Sequence, residues 1–161
     1  MRKNHLFWLW VLIWVGPWGF PLALQAESPP TTSEGQSIYV PAYSHIYGGD
    51  RERPFLLTVT LSVRNTDPNH PIRIMAVDYY ETSGALLKNY LSNPLTLKPL
   101  ESVRYVVPEK DKAGGSGANF IVVWQSDQQV NSPIVEAVMI GTQSQQGLSF
   151  TSRGQALVNT K

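Results

Sequence analysis

The sequence predicts an all-β fold, an antiparallel sandwich of seven to eight strands, on three observations. Short runs rich in β-branched and aromatic residues alternate apolar with polar side chains, as a half-buried strand does. Clusters of Gly, Pro, Asn and Asp separate these runs at intervals of roughly ten residues. No long window keeps the apolar period of a helix; the nearest, Ala85-Leu86-Leu87-Lys88, is cut short by Gly84 and Pro94.

The chain opens on a different pattern. Met1-Arg2-Lys3-Asn4-His5 is basic, Leu6 to Val15 is an unbroken apolar run, and Gly16, Pro17, Gly19 and Pro21 break it before Ala26. That order is a secretory signal over residues 1–26, with cleavage expected after Ala26. The apolar run is about half the ~20 residues that span a bilayer, so no membrane span is expected after processing. Residues 27–35 (ESPPTTSEG) are polar, proline-rich and aperiodic, and read as a disordered spacer. One domain is expected over residues 36–158.

Within that domain, Ser37–Tyr43 is the first strand, and Pro41, which cannot donate to a ladder, places it at a sheet edge. Phe55–Arg64 alternates cleanly, with Leu57, Val59, Leu61 and Val63 on one face. Residues 65–71 form a turn-rich connection into Ile72–Tyr80. Thr82-Ser83-Gly84 makes a tight hairpin into Ala85–Leu91. Asn93-Pro94 and Lys98-Pro99 punctuate a crossing segment, and Glu101–Val107 alternates again. Pro108–Ala118 is a loop. Asn119–Gln125 and Pro133–Gly141 are apolar enough on both faces to be central, and Gly147–Arg153 is the last strand.

Composition narrows the chemistry. Of 161 residues, 42% are hydrophobic and 16% charged, too apolar a mixture for a disordered chain. Arg2 and Lys3 are two of the 13 basic residues, which leaves 11 against 12 acidic ones after cleavage, a formal charge of −1. No nucleic-acid partner is expected from that balance. The absence of cysteine excludes thiol nucleophiles, thiolate zinc sites and iron–sulfur clusters, and no cofactor is implied.

Three segments, Tyr39-Val40-Pro41-Ala42-Tyr43-Ser44-His45-Ile46-Tyr47, Gly114-Gly115-Ser116-Gly117-Ala118-Asn119-Phe120 and Pro133 to Thr142, resemble a family of bacterial exported proteins known as a domain of unknown function. The likeness runs from about Gly35 to Gly154; it implies export and one compact domain, and transfers no catalytic residue. Leu56–Val107, with Arg64-Asn65-Thr66-Asp67-Pro68 and the Gly84 hairpin, is similar to immunoglobulin-like accessory modules of bacterial envelope proteins. That similarity implies an immunoglobulin-like sandwich and says little about function.

Candidate sites are few. Ser44 precedes His45, but neighbours in an extended chain point to opposite faces, and no G-x-S-x-G elbow is present, so a serine triad is not supported. His45, His70, Asp50, Glu52, Asp67 and Asp78 fall at no metal-ligand spacing, and no metal site is expected. Met75 and Met139 read as core fillers. The glycines of Ala113–Ala118 lead into a strand, not a helix, and read as a mobile loop instead of a phosphate cradle. Tyr39, Tyr43 and Tyr47, spaced by four, share one face of a regular strand beside His45. They form the candidate interaction surface, against the alternative of a tyrosine row packed over the sandwich edge. Glu136, within the apolar run Ile134–Ile140, is the candidate buried ion pair, with Arg104, Arg73 or Arg153 as partner. Trp124 alternates with Phe120 and Val122 and is expected to face the core.

These readings converge on an exported, non-enzymatic module of the bacterial envelope, periplasmic or extracellular, with a protein-binding or structural role toward an envelope protein or polymer. The competing reading is a small carboxylate-dependent hydrolase or carbohydrate-active enzyme that sets Glu136 and Asp78 about 5–9 Å apart across a cleft.

Overall fold

The computed structural model describes residues 32–48, 51–143 and 147–158, with backbone alone at 51 and 52. The expected signal, most of the spacer, and the side chains of Asp50 and Glu52 lie outside the described residues. No helix occurs among the described residues.

The alternating runs become strands. In chain order they are β1 Thr32–Pro41, β2 His45–Gly48, β3 Arg51–Leu56, β4 Thr58–Arg64, β5 Ile72–Tyr80, β6 Leu86–Asn89, β7 Leu95–Leu97, β8 Ser102–Val107, β9 Asn119–Asn131, β10 Ile134–Gly141, β11 Leu148–Arg153 and β12 Gln155–Ala156. Every pairing is antiparallel. One sheet has the order β12-β1-β9-β5-β6, with β7 also paired to β5; a second has the order β11-β10-β4-β8; β2 and β3 form a hairpin of their own.

The period of two explains the core. Leu57, Val59, Leu61 and Val63 of the second sheet are wholly buried, as are Ala137 and Met139 of β10. From the first sheet, Val40, Ile72, Ile74, Val77, Phe120, Val122 and Trp124 complete the same apolar cluster. The Gly84 turn forms as its sequence predicts: its φ of 88° is open to glycine, and Glu81 N donates to Ala85 O at 3.0 Å.

Several expectations need correction. β1 begins at Thr32, inside the stretch read as spacer, because Thr32 and Ser33 pair with Asn131 and Val130 of an unexpectedly long β9. It is not an outermost strand: β12 pairs with it at Ile38 and Tyr39, and Leu157 N donates to Ser37 O at 2.8 Å. Pro41 is accommodated as its last residue. β9 and β10 are each central, but in different sheets. Met75 is 36% exposed, since the β5 register against β9 shifts between Ile74 and Ala76 and turns it out of the core; Met139 is buried as expected. The glycine loop is tied down. Ala42 N donates to Ala118 O, Ser44 N and Thr82 N to the carbonyls of Gly115 and Gly114, and Gly117 N to Thr82 Oγ1.

Candidate functional site

The proposed tyrosine row is dispersed. β1 ends at Pro41 and the chain bends through Ala42–Ser44, so the regular strand that would align Tyr39, Tyr43 and Tyr47 does not exist. Tyr39 sits on the six-stranded sheet, turned outward between the buried Ile38 and Val40. Tyr43 packs its ring on Phe150 at 5.7 Å, against the core. Tyr47, on the β2–β3 hairpin, is 53% exposed.

The structure does bring His45 and Tyr47 together. Their rings meet edge to face at 5.3 Å, and His45 Nε2 lies 3.2 Å from the Tyr47 hydroxyl. The bend also brings Ser44 Oγ to 3.4 Å from His45 Nδ1, which an extended chain would have prevented. This is not an activated nucleophile. Ser44 is wholly buried, its hydroxyl donates to Gly115 O at 3.1 Å, and no described carboxylate orients the imidazole.

Glu136 is half-buried and on the outer face of its sheet. Val135, Ala137 and Met139 face inward, which turns Glu136 outward with Ile134 and Val138. Its side chain is 20% exposed and lies 3.7 Å from Arg64, a partner the sequence reading missed. Arg153 is its cross-strand neighbour, Arg104 lies beyond Ser62, and Arg73 is in the other sheet, paired with Asp127 at 2.6 Å. Asp78 projects from the outer face of that other sheet. The two carboxylates therefore stand on opposite sides of the sandwich and cannot flank one glycosidic bond.

His70 serves the β4–β5 turn. Asp67, buried beside it, accepts from the backbone N–H groups of Asn69 and His70 at 2.9 Å, from Asn131 N at 3.1 Å, and contacts His70 Nδ1 at 3.1 Å. The Asn69 N–H foremost, with those of Asn131 and His70, holds the Asp67 carboxyl below its usual range, against the opposing effect of burial.

The sequence reading missed a polar groove on the outer face of the six-stranded sheet. It holds about 460 Å³ and is lined by Glu34, Gln36, Ser37, Arg73, Gln125 and Asp127, among others. It forms where the ladder is irregular on both sides of β9: β1 shifts register between Ser33 and Gly35, and β5 between Ile74 and Ala76. Polar residues at strand positions were the available signal; the bulges that gather them were not visible.

No curated protein matches the chain. Among solved structures it is similar to the one described as "Crystal Structure of Thermotoga maritima 1070", at 12% identity and a TM-score of 0.45, over 74% of this chain and 92% of that one. The family described as "Protein of unknown function (DUF3124)" matches residues 35–157, from the β1 bulge to just past β12, and the chain belongs to that family.

Proposed function

We propose that the chain is an exported, non-enzymatic module of the bacterial envelope, an immunoglobulin-like sandwich that binds an envelope protein through the β2–β3 hairpin. The observation that carries this reading is the exposed Tyr47, held edge-on by His45, on a hairpin outside both larger sheets. A two-stranded hairpin is marginal alone in water. Here Tyr43, Ile46 and Phe55 fasten it to the core, while Tyr47 adds no comparable packing. An exposed tyrosine offers apolar area and a hydrogen-bonding tip, the combination enriched at interfaces. The committed Ser44 hydroxyl and the separation of Asp78 from Glu136 support a non-enzymatic role. The basic-apolar-breaker order of residues 1–26 supports export.

The test uses the chain from Glu27 onward as bait in an envelope extract, beside a double variant His45→Ala/Tyr47→Ala. A partner retained by the first and lost by the second, at an unchanged thermal midpoint, is the expected result. Equal retention removes the hairpin as the binding surface. N-terminal sequencing of the exported fraction should begin at Glu27 or within a few residues, and an intact leader in the membrane fraction would overturn export.

A further inference from the structure

We propose that the outer face of the six-stranded sheet binds a neutral sugar chain, a site separate from the hairpin. Register places its outward residues in four rows across the strands. Gly35, Gln125 and Arg73 form the first; Ser37, Val123 and Ala76 the second; Tyr39, Ile121, Asp78 and Asn89 the third; Pro41, Asn119 and Tyr80 the fourth. Rows two residues apart are separated by about 7 Å along the strands, so the track runs about 20 Å. The polar groove lies at its first row, and its volume is that of a small-molecule site.

The chemistry of this track selects the ligand. Sugar rings offer apolar C–H faces and rims of hydroxyl groups. Tyr39 and Tyr80, both half-buried, supply flat aromatic area on either side of β9. Next to Tyr80 on β5 and in the same row as Tyr39, Asp78 keeps one carboxylate oxygen, Oδ1, buried with no hydrogen-bond partner. The side chain as a whole is half-buried, so a small rotation brings this unsatisfied acceptor to the face, where a sugar hydroxyl can donate to it. Asn89 stands directly across from Asp78, so an amide and a carboxylate lie side by side, a pair that both donates to and accepts from neighbouring hydroxyls.

Alternatives fit less well. Glu34, Asp78 and Asp127 outnumber Arg73, whose guanidinium already grips Asp127 through two bonds, so an anionic polymer meets net repulsion. No group of three metal-ligating residues occurs among the described residues, which argues against a cation filling the Asp78 position. A peptide would pair along a strand edge, whereas this surface is a sheet face.

Affinity electrophoresis tests the proposal. The chain from Glu27 is run through gels cast with galactomannan, hydroxyethyl cellulose, soluble starch or glycol chitin, beside gels with alginate or dextran sulfate. Retardation by at least one of the four uncharged polymers is expected, with little by the anionic pair. Tyr39→Ala, Tyr80→Ala and Asp78→Asn should each weaken it by about tenfold. Asp78→Asn conserves shape and guards against loss of fold, and His45→Ala/Tyr47→Ala should leave the retardation unchanged. Retardation by none of the uncharged polymers, by the anionic ones alone, or undiminished from the parent in the three track variants would overturn the proposal.

Discussion

Tyr79 ends against Gly114 so closely that a Cβ there would overlap its hydroxyl. That hydroxyl is buried without a partner, and so is that of Tyr105. Their rings are linked by packing: Tyr79 lies 4.7 Å from Phe120, Phe120 6.1 Å from Tyr90, and Tyr90 5.2 Å from Tyr105. Burial pushes all three phenols above the ordinary tyrosine range, and the Asp111 carboxylate adds to this for Tyr79 and Tyr90. The unfolded chain therefore loses these protons at lower pH than the folded one. Their contribution to stability is whole below about pH 10 and declines as pH rises from there through the folded-state values. An alkaline titration should show the midpoint of urea unfolding falling above about pH 10, with tyrosinate absorbance from these residues appearing only as the chain unfolds. Replacing Tyr79 with Phe removes an unsatisfied hydroxyl as well as its titration, so it should flatten that decline; an undiminished slope would show that Tyr79 does not contribute to it.

At the scale of one element, the β2–β3 hairpin separates two tyrosines that share a spacing but not a role. Tyr43→Ala removes the ring packed on Phe150 and should cost about 1–3 kcal/mol in chemical denaturation. Tyr47→Ala removes a ring more than half exposed and should stay within about 0.5 kcal/mol of the parent. Equal costs would refute this division. The same hairpin shows what a sequence conveys. Alternation in 55–64 and 101–107 is a local property and gave those strands their faces. The bend at Ala42–Ser44 depends on hydrogen bonds to Gly115 and Ala118, some seventy residues distant, and nothing local announces it. β7, with three residues, and β12, with two, are too short for any period to show; each is a strand because a neighbour supplies the ladder. Glu136 lies in a run apolar on both faces, where period two cannot tell inside from outside. The groove was the least legible, since it is assembled by register shifts in two strands against a third.

For the whole molecule, the apolar cluster is shared by both sheets, so neither can lose its partner and remain dry. Trp124 is central to it, wholly buried, and the single tryptophan after position 18. In the chain from Glu27, its emission should be blue-shifted and move to the red in one step with denaturant, coincident with loss of circular dichroism. Trp124→Ala should cost about 3–5 kcal/mol, a large share of what a domain of this size possesses. Two separated transitions would mean that the sheets unfold independently. The position of β1 has a further consequence, one of time. It is the first described strand, yet it lies between β9 and β12, so Ile38 waits for Val122 on one side and Ala156 on the other. A chain emerging from its amino end cannot close this sheet until Ala156 is free. Sheets closed by such distant segments fold slowly, because loop entropy is lost before any contact compensates it. The six-stranded sheet therefore stays unsealed on that side of β1 until β12 has been made, however early β1 itself emerges.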